Sequence, residues 1–169
     1  KRIRTRITNG RGFPTRWFGG TSVHNYLILI PTYKRASLFH AKTYTRIIKH
    51  YQLQKRVVLL IQCDEDAKAY AEVAPELKQL RTPAGLLETV NDVAQRFVRN
   101  KPLVVMHDDI TRLLCVKDGN TKRHTVTDAD QLFRTTFAGM KKNKCNLGGF
   151  YPTNYPLTMA SQRPITTNL

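Results

Sequence analysis

Apolar residues cluster in short continuous runs, separated by segments in which they recur every three or four positions. The runs lie within residues 26–31, 56–62 and 103–106, and residues 77–80 are a further candidate for a short strand. Continuous apolar runs of about four to eight residues are typical of strands that are buried on both faces of a parallel sheet. The pattern therefore predicts four strands, of which those at 26–31 and 56–62 are expected to be buried.

The intervening segments have the periodicity of amphipathic helices. Pro83 suits the first turn of the third helix, and Thr127-x-x-Asp130 resembles a capping arrangement in front of the fourth. A further strand at 110–116 is expected to end in a turn at 118–120, and a last short strand is expected at 147–151. The predicted helices cover residues 37–51, 64–73, 82–98 and 129–140.

Strands and helices thus follow the order β-α-β-α-β-α-β-β-α-β, which predicts a three-layer α/β domain with a mostly parallel central sheet. The length of 169 residues is that of one domain, assigned here to residues 23–169. Residues 1–22 hold five arginines and four glycines and are expected to form a basic N-terminal arm. The arm either packs on its own domain or reaches nucleic acid or a neighbouring protein subunit.

The net charge of +16 is unevenly distributed along the chain. All 12 acidic residues lie between Asp64 and Asp130, whereas residues 1–63 hold 13 of the 28 basic residues and residues 131–169 hold five. Acid-free cationic ends attract polyanions, most commonly nucleic acid. Nucleotide phosphates, anionic membranes or an acidic protein would also satisfy this charge, and no zinc-finger or RNA-recognition motif accompanies it.

The chain lacks the sequence features of a membrane-spanning or secreted protein. Its longest aliphatic run, residues 57–61, is far shorter than the roughly 20 residues of a membrane span, and no secretory signal is visible. Three cysteines without C-x-x-C spacing argue against a disulfide framework or a zinc cluster. We therefore expect an intracellular protein without a transmembrane segment, with a virion as one setting.

The main candidate for chemistry is His107-Asp108-Asp109, directly after the predicted strand at 103–106. Carboxylate oxygens suit Mg²⁺ or Mn²⁺, which would bridge the phosphates of a bound nucleotide, with His107 as a third ligand or an orienting neighbour. Adjacent strand residues point to opposite faces, so both carboxylates bind one metal only if the chain has turned. A solvated turn is the alternative interpretation.

The loops after the first two strands also carry ligand-binding residue types. Pro31-Thr32-Tyr33-Lys34-Arg35 offers a ring for stacking and two cations for phosphate, or else is an ordinary strand-to-helix turn. Asp64 is expected to accept a hydrogen bond from a base or ribose, while Glu65 and Asp66 favour the N-terminus of the following helix. Asn91, on the third predicted helix, completes the expected nucleotide contacts. Because ligands of such sheets bind beyond the carboxyl ends of the strands, the loops should converge on one crevice.

Together these segments resemble the nucleotide-sugar-dependent glycosyltransferases of the GT-A fold, in the branch associated with modified DNA bases in phages, viruses and kinetoplastids. The likeness covers roughly residues 25–155. It rests on the Pro-Thr-Tyr-x-Arg-like loop at Pro31–Arg35, on an acidic residue after the second strand, Asp64 or Glu65, and on a D-x-D-like motif at His107-Asp108-Asp109. His107 stands where the first carboxylate of that motif is usual.

The resemblance implies a metal-dependent glycosyltransferase that uses a nucleotide-sugar donor, with a modified nucleic-acid base as one acceptor. It assigns Pro31, Thr32, Tyr33 and Arg35 to the nucleotide, and it assigns Asp108 and Asp109 to Mn²⁺ or Mg²⁺. The chain ends at Leu169, soon after the matched region, so the fold is expected to be short at its C-terminus and no catalytic base is assigned. Two alternatives stay open: a non-enzymatic, GT-A-like structural or nucleic-acid-binding protein, and a nucleotidyltransferase.

Overall fold

Two strands that are apolar at every position form the centre of the sheet. In the computed structural model, which describes residues 26–97, 102–116 and 123–150, β1 (Leu27–Pro31) pairs in parallel with β2 (Val57–Ile61). The outer strands are β3 (Lys78–Arg81), beside β2, and β4 (Leu103–Val105), beside β1, and both pairings are parallel. The order β3-β2-β1-β4 confirms the α/β class with a mostly parallel sheet.

Alternate side chains of β1 enter two different cores, as the two-residue period of a strand requires. Ile28 and Ile30 pack against the helices at 36–49, 64–73 and 129–142, whereas Leu27 and Leu29 pack on the opposite face, where Val93 of the helix at 86–97 covers them. The sheet is therefore the middle of three layers. The helices are α1 (Ala36–Phe39, continuing as a π-helix over His40–Lys49), α2 (Asp64–Val73), α3 (Leu86–Phe97) and α4 (Ala129–Lys142).

The predicted start of the third helix at Pro83 is wrong, because α3 begins at Leu86. Gly85 adopts a φ of 100°, a left-handed conformation that favours glycine. Its carbonyl accepts the first helical hydrogen bond, from Thr89, and its own N–H donates to Gln62 Oε1 at 3.2 Å. The glycine thus sets the start of the helix and joins it to the end of β2.

The predicted capping arrangement at Thr127 and Asp130 is also wrong. The N-cap of α4 is Asp128, whose carboxylate accepts a hydrogen bond from the Gln131 N–H at 2.8 Å. Asp130 faces inward instead and accepts a hydrogen bond from the Tyr26 hydroxyl at 2.7 Å. Aspartate is a favoured N-cap residue, so the sequence does not distinguish Asp128 from Asp130. The hydrogen bond from Tyr26 to Asp130 leaves Asp128 as the N-cap.

The second half of the chain departs most from the prediction. Residues 110–113 are not strand; β5 is limited to Leu114–Val116 and pairs antiparallel with β6 (Arg123–Thr125), a strand that the pattern did not predict. Residues 147–150 form no strand, and the large side chains among them, Leu147 and Phe150, are exposed. The turn at 118–120, the arm at 1–22 and Tyr151 lie outside the described residues.

No helix within the described ranges is long and apolar enough to cross a membrane.

Candidate functional site

The strand order of the sheet reverses beside β1. The chain adds β2 and then β3 on one side of β1, and later adds β4 on the other side. The loops that leave the carboxyl ends of β1 and β4 are therefore neighbours at the point where the strand order reverses. In open α/β sheets this reversal of strand order is where ligands bind, and the loops after β1 and β4 both carry predicted site residues.

Arg35 joins these two loops through a pair of carboxylates. Its Nη1 atom lies 3.2 Å from Asp108 Oδ1, and its Nη2 atom donates to Asp109 Oδ2 at 3.0 Å. Asp108 is buried, whereas Asp109 and Arg35 are each about half exposed. Two adjacent carboxylates turn toward one guanidinium because Asp108 and Asp109 lie in a turn after β4, as their convergence requires.

Thr43 of α1 holds this turn in place. Its hydroxyl oxygen accepts a hydrogen bond from the Ile110 N–H at 2.7 Å and lies 3.1 Å from the His107 carbonyl oxygen, to which it donates. Residues on both sides of the carboxylate pair are therefore fixed to the helix that begins directly after Arg35. The His107 side chain is exposed. A buried threonine within an otherwise apolar helix face is the sequence signal for this contact.

The surroundings of Asp108 disfavour the ionised form of its carboxyl group. Burial raises the pKa of Asp108, Arg35 opposes this shift with its positive charge, and Asp109 adds to it with its negative charge. The guanidinium thus only partly compensates for the loss of water around this carboxylate. Carboxylates with a raised pKa in a crevice are frequent in functional sites.

The backbone of the loop after β1 is held by another carboxylate, that of Asp66. Both oxygens of Asp66 lie 3.1 Å from the Lys34 N–H, and Lys34 has a φ of 52°, in the left-handed region that non-glycine residues rarely adopt. Thr32 is buried and its hydroxyl donates to the Leu60 carbonyl at 3.3 Å. The result is that Tyr33 stays half exposed, with Lys34 Nζ 5.1 Å from its ring centroid.

Asp64 and Asp66 have different surroundings from those expected. Asp64 is largely exposed, and Asp64 Oδ1 pairs with Arg81 Nη1 at 3.0 Å, at the end of β3. Asp66 is buried and contacts the loop of Tyr33, although its position in the first turn of α2 had suggested a role in the helix alone. Both residues do lie in the first turn of that helix. Sequence spacing did not distinguish them.

The remaining predicted contacts are spread more widely. Pro31 ends β1 opposite Leu60, close to the loop that carries Tyr33. Asn91 is exposed on α3, the helix that covers the face of the sheet opposite α1 and α2. The structure therefore brings Pro31, Thr32, Tyr33, Arg35, Asp108 and Asp109 to one end of β1 and β4. It places Asn91 on a different layer.

Tyr70 lies beneath the site and was not predicted. Its side chain is fully buried, and its hydroxyl has no hydrogen-bond partner within the standard distance among the described residues. Burial raises the pKa of this phenol, the hydroxyl of Thr32 lowers it, and the negative charges of Asp108 and Asp66 raise it further. Tyr70 of α2 is thus close enough to both buried carboxylates for their charges to act on its phenol.

Asp108 and Asp109 are the residues of the site that could hold a divalent cation. Within residues 26–97, 102–116 and 123–150, no group of three or more His, Cys, Asp or Glu side chains is arranged to hold a metal. Asp108 and Asp109, however, present oxygens to a single cationic group. Mg²⁺ commonly uses one or two carboxylates together with water and substrate phosphates, so two converging carboxylates suffice for such a site.

Comparison with protein-family models, with curated proteins and with solved structures found no match to this chain.

Proposed function

We propose that this chain binds a nucleotide-sugar together with Mn²⁺ or Mg²⁺ and transfers the sugar to an acceptor, with a nucleic-acid base as the suggested class. The observation that carries the proposal is the cluster of Arg35, Asp108 and Asp109 at the point where the strand order reverses. This position and these residue types suit a diphosphate and its cation.

Charge explains why the cluster needs a cation before it accepts a diphosphate. Two carboxylates and one guanidinium leave a formal charge of −1, which repels phosphate. A divalent cation held by Asp108 and Asp109 would reverse this sign and would neutralise the departing diphosphate. Arg35, half exposed beside them, supplies a forked donor for phosphate oxygens. Tyr33 offers an exposed ring for the base.

The test is the metal dependence of nucleotide binding. Asp109→Asn is expected to abolish the Mn²⁺-dependent binding of UDP-sugars, measured by calorimetry, because it removes the more accessible carboxylate. Asp92→Asn is the matched control, since Asp92 also pairs with an arginine, Arg96, but on α3. Unchanged affinity in the Asp109→Asn variant, or an equal loss in both variants, contradicts the assignment.

The second candidate is a non-enzymatic structural or nucleic-acid-binding protein, for example a virion component. It is favoured by the absence of acidic residues from residues 1–63 and 131–169. A thermal-shift screen of nucleoside diphosphates and nucleotide-sugars, with and without Mn²⁺, separates the candidates. Stabilisation that requires both nucleotide and metal supports the transferase, whereas none of the nucleotides stabilises a purely structural protein.

A further inference from the structure

Three basic residues of α1 are exposed or partly exposed. Lys42, Arg46 and Lys49, here called the basic helix face, are spaced four and three residues apart, and Arg46 and Lys49 are exposed while Lys42 is partly exposed. The buried side of the same helix consists of Thr43, Tyr44, Ile47 and Ile48. Packing therefore accounts for the buried side of α1. Lys49 Nζ also lies 4.8 Å from the centroid of the Tyr44 ring, and no such contact is seen for Lys42 or Arg46 among the described residues.

These cations have no carboxylate partner among the described residues. The arginines at the candidate site, on β3 and on α3 all form ion pairs, but no ion pair involves the basic helix face. The nearest acidic influence is Glu76, which accepts a hydrogen bond from the Tyr44 hydroxyl. That hydroxyl and, more weakly, Lys49 lower the pKa of Glu76. Lys42 and Arg46 remain without this compensation.

The basic helix face is also free of large exposed apolar groups. The large hydrophobic side chains exposed in the described residues are Tyr33, Leu87, Val105, Leu147 and Phe150, none of which belongs to α1. Protein interfaces have an apolar centre, and membrane-surface helices insert an apolar face. A surface with positive charge alone suits a partner that is recognised through repeated negative charge.

We propose that the basic helix face binds the phosphate backbone of duplex nucleic acid, without sequence readout. The three cations fall within eight consecutive residues of the π-helical part of α1, so their charges are concentrated on a short stretch of surface, as contact with the closely spaced phosphates of a duplex requires. The three cations lie on one rigid, packed helix. This inference does not depend on nucleotide-sugar binding, and it places the contact on the domain rather than on its terminal segments.

The test uses the full chain and a 20-base-pair DNA duplex, with affinity measured by fluorescence anisotropy between 50 and 300 mM salt. Neutralising the face with K42Q/R46Q/K49Q is expected to reduce the slope of log K against log salt by about 2 to 3 and to weaken binding roughly a hundredfold near 0.1 M salt. The matched control, K141Q/K142Q/K144Q, removes the same charge from exposed positions at the end of α4.

The outcomes separate a local surface from bulk charge. A larger loss in the α1 variant than in the α4 variant supports the proposal, while equal losses or an unchanged slope overturn it. Phosphatidylserine vesicles that bind the wild type and respond to the α1 variant as strongly as DNA would also overturn it. If the triple variant fails to fold, R46Q alone is expected to lower the slope by about 0.9, whereas R46K, which keeps the charge, retains it.

Discussion

Asp108 and Asp130 are both carboxylates beside arginines, yet their surroundings shift their pKa values in opposite directions. Asp130 accepts a hydrogen bond from Tyr26 and forms ion pairs with Arg56 at 3.2 Å and Arg134 at 2.6 Å. Burial raises the pKa of Asp130, but the Tyr26 hydroxyl and the two arginines together lower it below its ordinary value. Asp108 has one arginine and a second carboxylate, and its pKa is raised.

Asp130→Asn is expected to lower the thermal midpoint at pH 7 by about 4–8 °C, the shift that about 2 kcal/mol produces in a protein of this length. Because the folded-state pKa of Asp130 is lowered, its contribution is present above the unfolded pKa of about 3.9 and is lost as the pH falls through the folded pKa. Melting curves of both proteins from pH 7 to pH 3 measure this. A difference that persists undiminished at pH 3 contradicts the assignment.

Asp108→Asn is expected to have the opposite effect and to raise the midpoint at pH 7 by about 2–4 °C, corresponding to about 1 kcal/mol. A raised folded-state pKa means that the ionised form is costly, so stability is lost as the pH rises through that pKa. The asparagine removes this buried charge while Arg35 keeps Asp109. The gain should vanish in acid, where the wild-type carboxyl is protonated. Destabilisation at pH 7 would show that Arg35 fully compensates Asp108.

At the scale of elements, the loop after β1 depends on a side chain from α2. Asp66→Asn is expected to speed hydrogen exchange at the Lys34 amide by about 10- to 100-fold, because hydrogen bonds to charged groups contribute about 1.5–3 kcal/mol and Lys34 holds an unfavourable backbone conformation. Asp64→Asn is the control, since Asp64 contacts Arg81 instead. Exchange that is equal in both variants would show that the loop holds itself.

The elements that the sequence predicts well are those with strong local patterns. Strands β1 and β2 are apolar at every position, and α2 ends at Val73 as predicted. The missed strand β6 has the sequence Arg-His-Thr, which contains no apolar residue, and it exists because β5 pairs with it. The start of α3 is set by the conformation of Gly85, and the cap of α4 is decided by Tyr26. These features depend on contacts distant in sequence.

The candidate site was likewise predictable where local pattern defines it and unpredictable where distant contacts do. The segments that carry Arg35, Asp108 and Asp109 were recognisable because each follows an apolar strand. These three residues lie close together because β4 is placed beside β1 in the sheet. The order of strands in the sheet is not visible in the local sequence of either segment. Thr43, Asp66 and Tyr70 were missed because their contacts reach across the packed layer from α1 and α2. A local pattern cannot distinguish such residues from ordinary helix positions.

At the scale of the whole molecule, charge and topology separate two surfaces. The candidate site at the carboxyl ends of the strands combines both signs of charge, in Arg35, Asp108 and Asp109. The basic helix face belongs to the acid-free first 63 residues and has only positive charge. Because α1 begins directly after Arg35, one helix connects the two surfaces. A phosphate-rich partner lying along α1 would therefore extend toward the candidate site.

The position of β4 in the sheet has a consequence for local unfolding. β4 shares three residue pairs with β1, whereas β2 shares four and is buried throughout, and Val105 of β4 is exposed. The pairing of β1 with β4 is thus weaker than its pairing with β2, and we expect it to open first. The Met106 amide donates a hydrogen bond to the Leu29 carbonyl between these two strands at 3.0 Å. Hydrogen exchange at this amide therefore measures the opening of the β1–β4 pairing. Any molecule that bridges the loops after β1 and β4 is expected to stabilise this pairing and therefore to slow hydrogen exchange at the Met106 amide, whatever the chemistry of that molecule.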